Sequence, residues 1–281
     1  MLRAGPFSDE DVQALAKLRF VPFYFDLSNA GAAADKDARA VVVKARKNLR
    51  GMAVDTPPIL FMSAEGEVLG DVANYADTKA VLAAMQKVLQ QHPQYDQPSP
   101  SESEGTPLQR ALVLAGLQQF DDALALATTV DEPAARLLCA RLLRKQGKAA
   151  AAREHLDKIT GAELVHDVAI ERSLLAWHAG EFAAMADLLR DVPSEHARYS
   201  EARYHFGLSW FHRDDTEQAR AVWKELVTGR PQDRWVYRAD WAFVESGSKP
   251  GNVRTFRSTD KAGLLGRIGY MGRNNPDLKR R

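Results

Sequence analysis

"YHFGLSWFHRDDTEQARAVWKELVTGRP", Tyr204 to Pro231, is the stretch from which the fold can be read. In its second half Ala219, Val222, Trp223, Leu226 and Val227 fall at i, i+3, i+4, i+7 and i+8, the spacing of one face of an α-helix. The first half, "YHFGLSWFH", is aromatic throughout and reads as a packed helix, and the charged "RDD" between the halves marks a turn. Two helices joined near Asp214 are predicted, the second stopped by Pro231, which lacks a backbone N–H and cannot continue a helix.

The same turn-centred arrangement recurs upstream in "AGEFAAMADLL", "QGKAAAAREHL" and "QQFDDALALA". Gly180 to Asp214 is 34 residues, Gly147 to Gly180 is 33, and Gln118 to Gly147 is 29. A recurring period of this length is the mark of stacked supersecondary units. Ala135, Leu138, Cys139, Leu142 and Leu143 form a further helical face of the same kind.

With the period in place, Gly207, Trp210, Ala219, Trp223 and Pro231 occupy small, aromatic, small, aromatic and proline positions, and the stretch resembles a tetratricopeptide repeat. Earlier units keep part of the pattern, with Ala140, Leu143, Ala152 and Leu156 in one and Ser173, Phe182, Met185 and Leu189 in the next. "RWVYRADWAFVE", from Arg234, reads as a further helix capping the stack. The candidate repeat-packing residues are Gly147, Ala152, Gly180, Phe182, Gly207, Trp210, Ala219, Trp223 and Pro231. The resemblance implies that the small ones let antiparallel helices approach while the aromatics fill the gap to the neighbouring pair. It also implies a surface that holds a protein or peptide partner; the alternative is that the array packs against the chain's own N-terminal domain.

"HPQYDQPSPSESEGTP", His92 to Pro107, is rich in Pro, Ser and Glu and has little to bury, which marks residues 93–107 as a flexible linker. It separates the helical residues 108–245 from residues 1–92, where the strand-length runs "FVPFYF" and "ILFM" alternate with helical segments at Asp9 to Leu18 and Asp77 to Gln91. "FVPFYFDLSN", "TPPILFMSAEGEVLG" and "DTKAVLAAMQKVLQ" together resemble the later part of a thioredoxin-like α/β domain. In that family a cis proline before the third core strand borders the substrate groove, and Pro57, preceded by Thr56, matches it. An X–Pro bond loses most of its trans preference, so cis is accessible there; Pro58 is the alternative, and both can be trans. "SAEGEV" reads as a hairpin turn, with Gly66 supplying positive φ.

The family's first strand and Cys-x-x-Cys are missing. "MLRAGPFSDEDV" resembles the part of secreted and periplasmic relatives that begins a few residues after the second cysteine. The expectation is a thioredoxin-like domain lacking its dithiol, with a longer exported precursor carrying that dithiol upstream as the alternative.

Composition restricts the chemistry. The formal charge of +1, with 45% hydrophobic and 27% charged residues, gives no global attraction to nucleic acid or membrane. The lone Cys139 excludes an internal disulfide or dithiol, and on an apolar helical face it reads as a small hydrophobe. No His-x-x-x-His spacing and no phosphate-cradling loop occur; His205 and His212 share a helical face but read as packing residues. Residues 246–281 form a basic, Gly-rich tail, read as solvated, with RNA or an acidic partner as the alternative ligand. Lacking a secretory leader or an apolar span, the chain as written reads as cytoplasmic, or as periplasmic or secreted if a signal peptide precedes it. The function that follows is a non-catalytic interaction scaffold with no metal or cofactor; the alternatives are a truncated thiol-disulfide oxidoreductase and RNA or acidic-partner binding through the tail.

Overall fold

The computed structural model describes residues 6–22, 59–72, 77–98, 103–230, 233–247 and 276–278. These hold eleven α-helices, one two-stranded antiparallel sheet and four short 3₁₀ turns. They fall in two compact units, one within Asp9–Ser99 and the other within Met1–Ser8 and Pro100–Arg281.

In the smaller unit, Asp9 caps helix α1, Glu10–Arg19, by accepting from the backbone N–H groups of Asp11 and Val12. Strands β1, Ile59–Met62, and β2, Val68–Val72, pair with Ile59 opposite Val72 and Phe61 opposite Gly70, and the register shifts between Phe61 and Met62. Gly66, at φ 80°, makes the turn, and the Ser63 hydroxyl accepts from the N–H groups of Glu65 and Glu67. Asp77 caps helix α2, Thr78–Gln91, which buries Val81, Met85, Val88 and Leu89 on its apolar face and packs on β2 and α1. Gly70 permits this approach, since a Cβ there would lie 2.8 Å from Val88 Cγ2.

Two expectations change in this unit and in the residues that follow it. Phe20–Pro22 do not begin a strand: the Phe20 N–H closes α1 on the Ala16 carbonyl, and its ring lies 5.6 Å from that of Phe61. The rest of "FVPFYF", like Thr56 and Pro57, lies outside the described residues. The proposed linker is more ordered at both ends than its composition suggests. Pro93–Tyr95 form a 3₁₀ turn, Asp96 pairs with Arg19, and Pro107 is already the first residue of a helix capped by a Thr106–Gln109 box.

The larger unit is built from helix pairs. They are α3, Pro107–Gly116, with α4, Phe120–Ala127; α5, Pro133–Lys145, with α6, Ala149–Asp157; α7, Val165–Ala179, with α8, Phe182–Leu189; and α9, Tyr199–His212, with α10, Thr216–Gly229. Each pair packs within itself and on the next, and α11, Arg234–Gly247, lies against α9 and α10.

One turn joins every pair. Gln118, Gly147, Gly180 and Asp214 adopt the left-handed conformation at φ 66°, 75°, 77° and 68°. The following residue donates five residues back in each case: Gln119 to Leu114, Lys148 to Leu143, Glu181 to Ala176 and Asp215 to Trp210, at 2.8–3.0 Å. This is a Schellman closure, which satisfies the last carbonyls of the first helix and reverses the chain. Gly147 and Gly180 therefore have a conformational role and not the expected packing one, since a Cβ on either would meet nothing within 4 Å.

Packing fills in between the turns. Ala111, Ala123, Ala127, Leu138, Cys139 and Leu142 form one cluster, Leu137, Ala140, Leu143, Ala152, Leu156 and Leu175 the next, and a larger aromatic core spans α7 to α11. Gly207 sets the closest approach, because a Cβ there would lie 2.2 Å from Trp223 Nε1, which donates to the Tyr204 carbonyl at 3.1 Å. Two short segments join this unit from far along the chain. Ser8, in the turn Pro6–Ser8, accepts from Arg238 Nε of α11 at 2.7 Å, which moves this turn out of the predicted first domain. The turn Pro276–Leu278 docks on α9, so Asp277 and Leu278 of the expected solvated tail are half-buried.

Candidate functional site

The first helices of successive pairs carry a row of charges. Glu171 on α7 is only 1% exposed, yet it receives Arg141 Nε at 2.8 Å and Arg144 Nε at 3.1 Å from α5, and Arg198 at 2.8 Å from the entry to α9. Arg198 also forks onto Glu201 at 2.9 and 3.0 Å and reaches Asp167 at 3.1 Å, while Arg141 reaches Asp167 at 3.2 Å. Three guanidiniums and three carboxylates thus tie α5, α7 and α9 together. Burial pushes the Glu171 carboxyl upward, but Arg144, Arg198 and Arg141 outweigh it and hold the group below its ordinary range. Burial likewise opposes the charge on Arg198, and Glu201, Glu171 and Asp167 overcome it, raising the guanidinium above its usual value.

Beside this ladder lies a cluster of rings. His212 stacks on Phe182, with centroids 4.7 Å apart and planes 13° from parallel, and borders Trp177 at 6.1 Å. Tyr204, fully buried, sits between Trp235 at 5.5 Å and His205 at 5.3 Å. Their polar tips converge on one residue: Tyr204 Oη donates to the Asp277 carboxylate, and His212 Nε2 lies 2.7 Å from the Asp277 backbone oxygen. A carbonyl can only accept, so His212 holds its proton on Nε2. His205 lies behind them with Nδ1 buried and unpartnered; burial drives its pKa down to about 3, so its ring is neutral.

The sequence-predicted residues distribute as follows. Gly207, Ala219 and Trp223 meet at the α9–α10 contact, and Ala152 is buried against the α5–α6 cluster. Phe182 and Trp210 both pack on the aromatic core, with the Arg213 guanidinium 4.6 Å over the Trp210 ring. Pro231 lies outside the described residues. Cys139 is buried among α3–α5, and burial pushes its thiol up, away from the thiolate that redox chemistry needs. In the sequence His212 reads as a packing residue, and no local pattern marks Tyr204, Glu171 or Arg198. The available signal was charge on first helices at one-unit spacing: Arg141 and Glu171 are 30 residues apart.

Other features offer less. A cleft of about 310 Å³ lined by Ile159, Val165, Val168, Arg172 and Leu188 has one ionisable side chain and no acid–base pair. Among the described residues no group of three or more His, Cys, Asp or Glu is arranged to hold a metal, and no helix is long and apolar enough to cross a membrane. No family model, curated protein or solved structure matches the chain.

Proposed function

We propose that the chain is a non-catalytic protein-interaction scaffold, with a tetratricopeptide-type helical array as its binding part and a degenerate thioredoxin-like unit attached. The observation that carries the reading is the fourfold Schellman turn with its stacked helix pairs. Repetition of one helical hairpin aligns the first helices into a continuous face, which is how such arrays present a surface to an extended partner. The buried ladder on α5, α7 and α9 supports this, because it fixes the relative positions of those helices with buried charges that register only in one arrangement. For the smaller unit, the order helix, hairpin, helix and the Gly70 contact between β2 and α2 support a thioredoxin-like reading. The buried Cys139 supports a role without thiol chemistry.

The test is selection of a random peptide display library on the purified full chain, paired with a disulfide-reduction assay. The expected result is an enriched peptide class whose binding is lost in His212→Ala, with no disulfide turnover. Disulfide turnover by the chain, or a library from which nothing is enriched, overturns the reading.

A further inference from the structure

We infer that the ring-lined site among α7, α8, α9 and α11 is a recognition site for a short peptide with aspartate followed by leucine, and that the chain's own Asp277–Leu278 occupies it as an intramolecular competitor. This rests on the scaffold reading and specifies its ligand.

Three observations point to a built site. The contact is polar and directional at both ends of one residue, with Tyr204 on the Asp277 carboxylate and His212 on its backbone oxygen. Leu278 supplies the apolar half by packing on the aromatic core of α7 to α11. The two donors are held by neighbouring rings: His212 against Phe182 and Trp177, Tyr204 against Trp235 and His205. Donors fixed this way lose little freedom when they bind, which favours recognition of a defined residue.

Electrostatics select an acid at the first position. Arg238, Arg144 and Arg198 all lie near enough to oppose protonation of His205, and Asp277 is the charge acting the other way. The selecting contact is the Tyr204 hydroxyl on the carboxylate, since a hydrogen bond to a charged acceptor is about twice as strong as a neutral one. The main-chain contact through His212 carries no side-chain selectivity, and the leucine contact is satisfied by area alone. Asp-Leu is the minimal pattern that uses all three.

A ligand tethered to its own site acts at an effective concentration up to the order of 1 mM, so a partner must displace it. The experiment uses a fluorescein-labelled peptide of residues 272–281, "GRNNPDLKRR", titrated by anisotropy into the full chain, the full-chain double variant Asp277→Ala/Leu278→Ala, and the volume-preserving Asp277→Asn. The double variant, its site vacated, is expected to bind the peptide at least tenfold more tightly than the wild-type chain, with Asp277→Asn between them. A peptide carrying Asn at its aspartate, and a double variant further changed by His212→Ala, should each lose at least tenfold.

Equal binding to wild type and both variants overturns the inference, as does binding that survives the aspartate-to-asparagine change, which would be charge attraction of a basic peptide alone. If the double variant does not fold, the wild type and Asp277→Asn comparison decides. If this peptide fails while library-selected peptides still require His212, the scaffold reading stands and the Asp-Leu ligand does not.

Discussion

The two ends of the helical array share a backbone and differ in what fills it. Between α3 and α6 the interior is Ala, Leu and one Cys, whereas α7 to α11 enclose Tyr204, Phe206, Phe211 and Trp223 together with Glu171, Ser173, Glu201, His205, Ser209 and Asp240. Yet Gln118 and Gly147 turn the first end with the same closure that Gly180 and Asp214 give the second. The turn therefore specifies the repeat, and the interior is free to vary. The aliphatic end is filler between helices, while the polar and aromatic end places directed donors, and that end holds the candidate site.

The sharpest way to break this difference is to remove Glu171. Glu171→Ala leaves the guanidiniums of Arg141, Arg144 and Arg198 without the carboxylate they share. Breaking a buried charge cluster by deleting one partner costs about 3–5 kcal/mol. The urea midpoint should fall accordingly, and Glu171→Gln, which keeps the shape and accepting oxygen, should cost less. A loss under about 1 kcal/mol would show that the ladder is solvated and that the two ends differ less than the geometry indicates.

Next in size is Gly207→Ala. Its Cβ would sit 2.2 Å from Trp223 Nε1, deep in the aromatic end, and overpacking of a filled core costs about 1–3 kcal/mol. The indole bond to the Tyr204 carbonyl should be strained with it, so Trp fluorescence should shift as stability falls.

Much of this was legible in the sequence, for physical reasons that also explain the omissions. Helical faces such as Ala219, Val222, Trp223, Leu226 and Val227 are periodic, and the turn-centred segments aligned Gln118 and Asp214 with Gly147 and Gly180 although two of the four are not glycine. The ladder was not legible, because Arg141, Glu171 and Arg198 look in sequence like ordinary solvated charges, and their pairing spans 27–31 residues. Asp277 was harder still: it meets Tyr204 across 73 residues through a three-residue segment too short to show any period. The Phe20 strand failed for the opposite reason, since an apolar run of β-branched and aromatic residues also suits a helix end packed on Phe61.

Acid should act on the polar end first. His205 is held neutral, with its pKa lowered to about 3 from an ordinary 6.5, so below pH 6.5 the unfolded chain takes a proton that the folded one refuses. Its contribution is fully present above pH 6.5 and declines by about 1.4 kcal/mol per pH unit as pH falls toward 3. Glu171 has the same sign at lower pH: its folded pKa lies below 4.5, so its contribution is present above 4.5 and lost as pH falls through the folded value. His205→Gln should therefore flatten the stability profile between pH 6.5 and 4.5 while leaving the steeper acid limb. Denaturation midpoints at half-unit intervals check this, and an unchanged slope would locate the titration elsewhere.

The smallest effect tests the shared backbone itself. Gln118 and Asp214 hold left-handed φ values that a side chain disfavours, by about 1–2 kcal/mol in a non-glycine residue, while glycine costs entropy in the unfolded chain. Gln118→Gly should raise stability by about 0.5–1 kcal/mol and Asp214→Gly by less, because aspartate tolerates this conformation better. Gly147→Ala and Gly180→Ala should lower it by about 1 kcal/mol, through backbone strain alone, since neither Cβ would touch a neighbour. Because the closure is the same at all four sites, the effects should follow the residue replaced and be indifferent to which end of the array it serves. A glycine substitution that stabilised one end and destabilised the other would mean that the interiors, and not the turn, set the geometry of each pair.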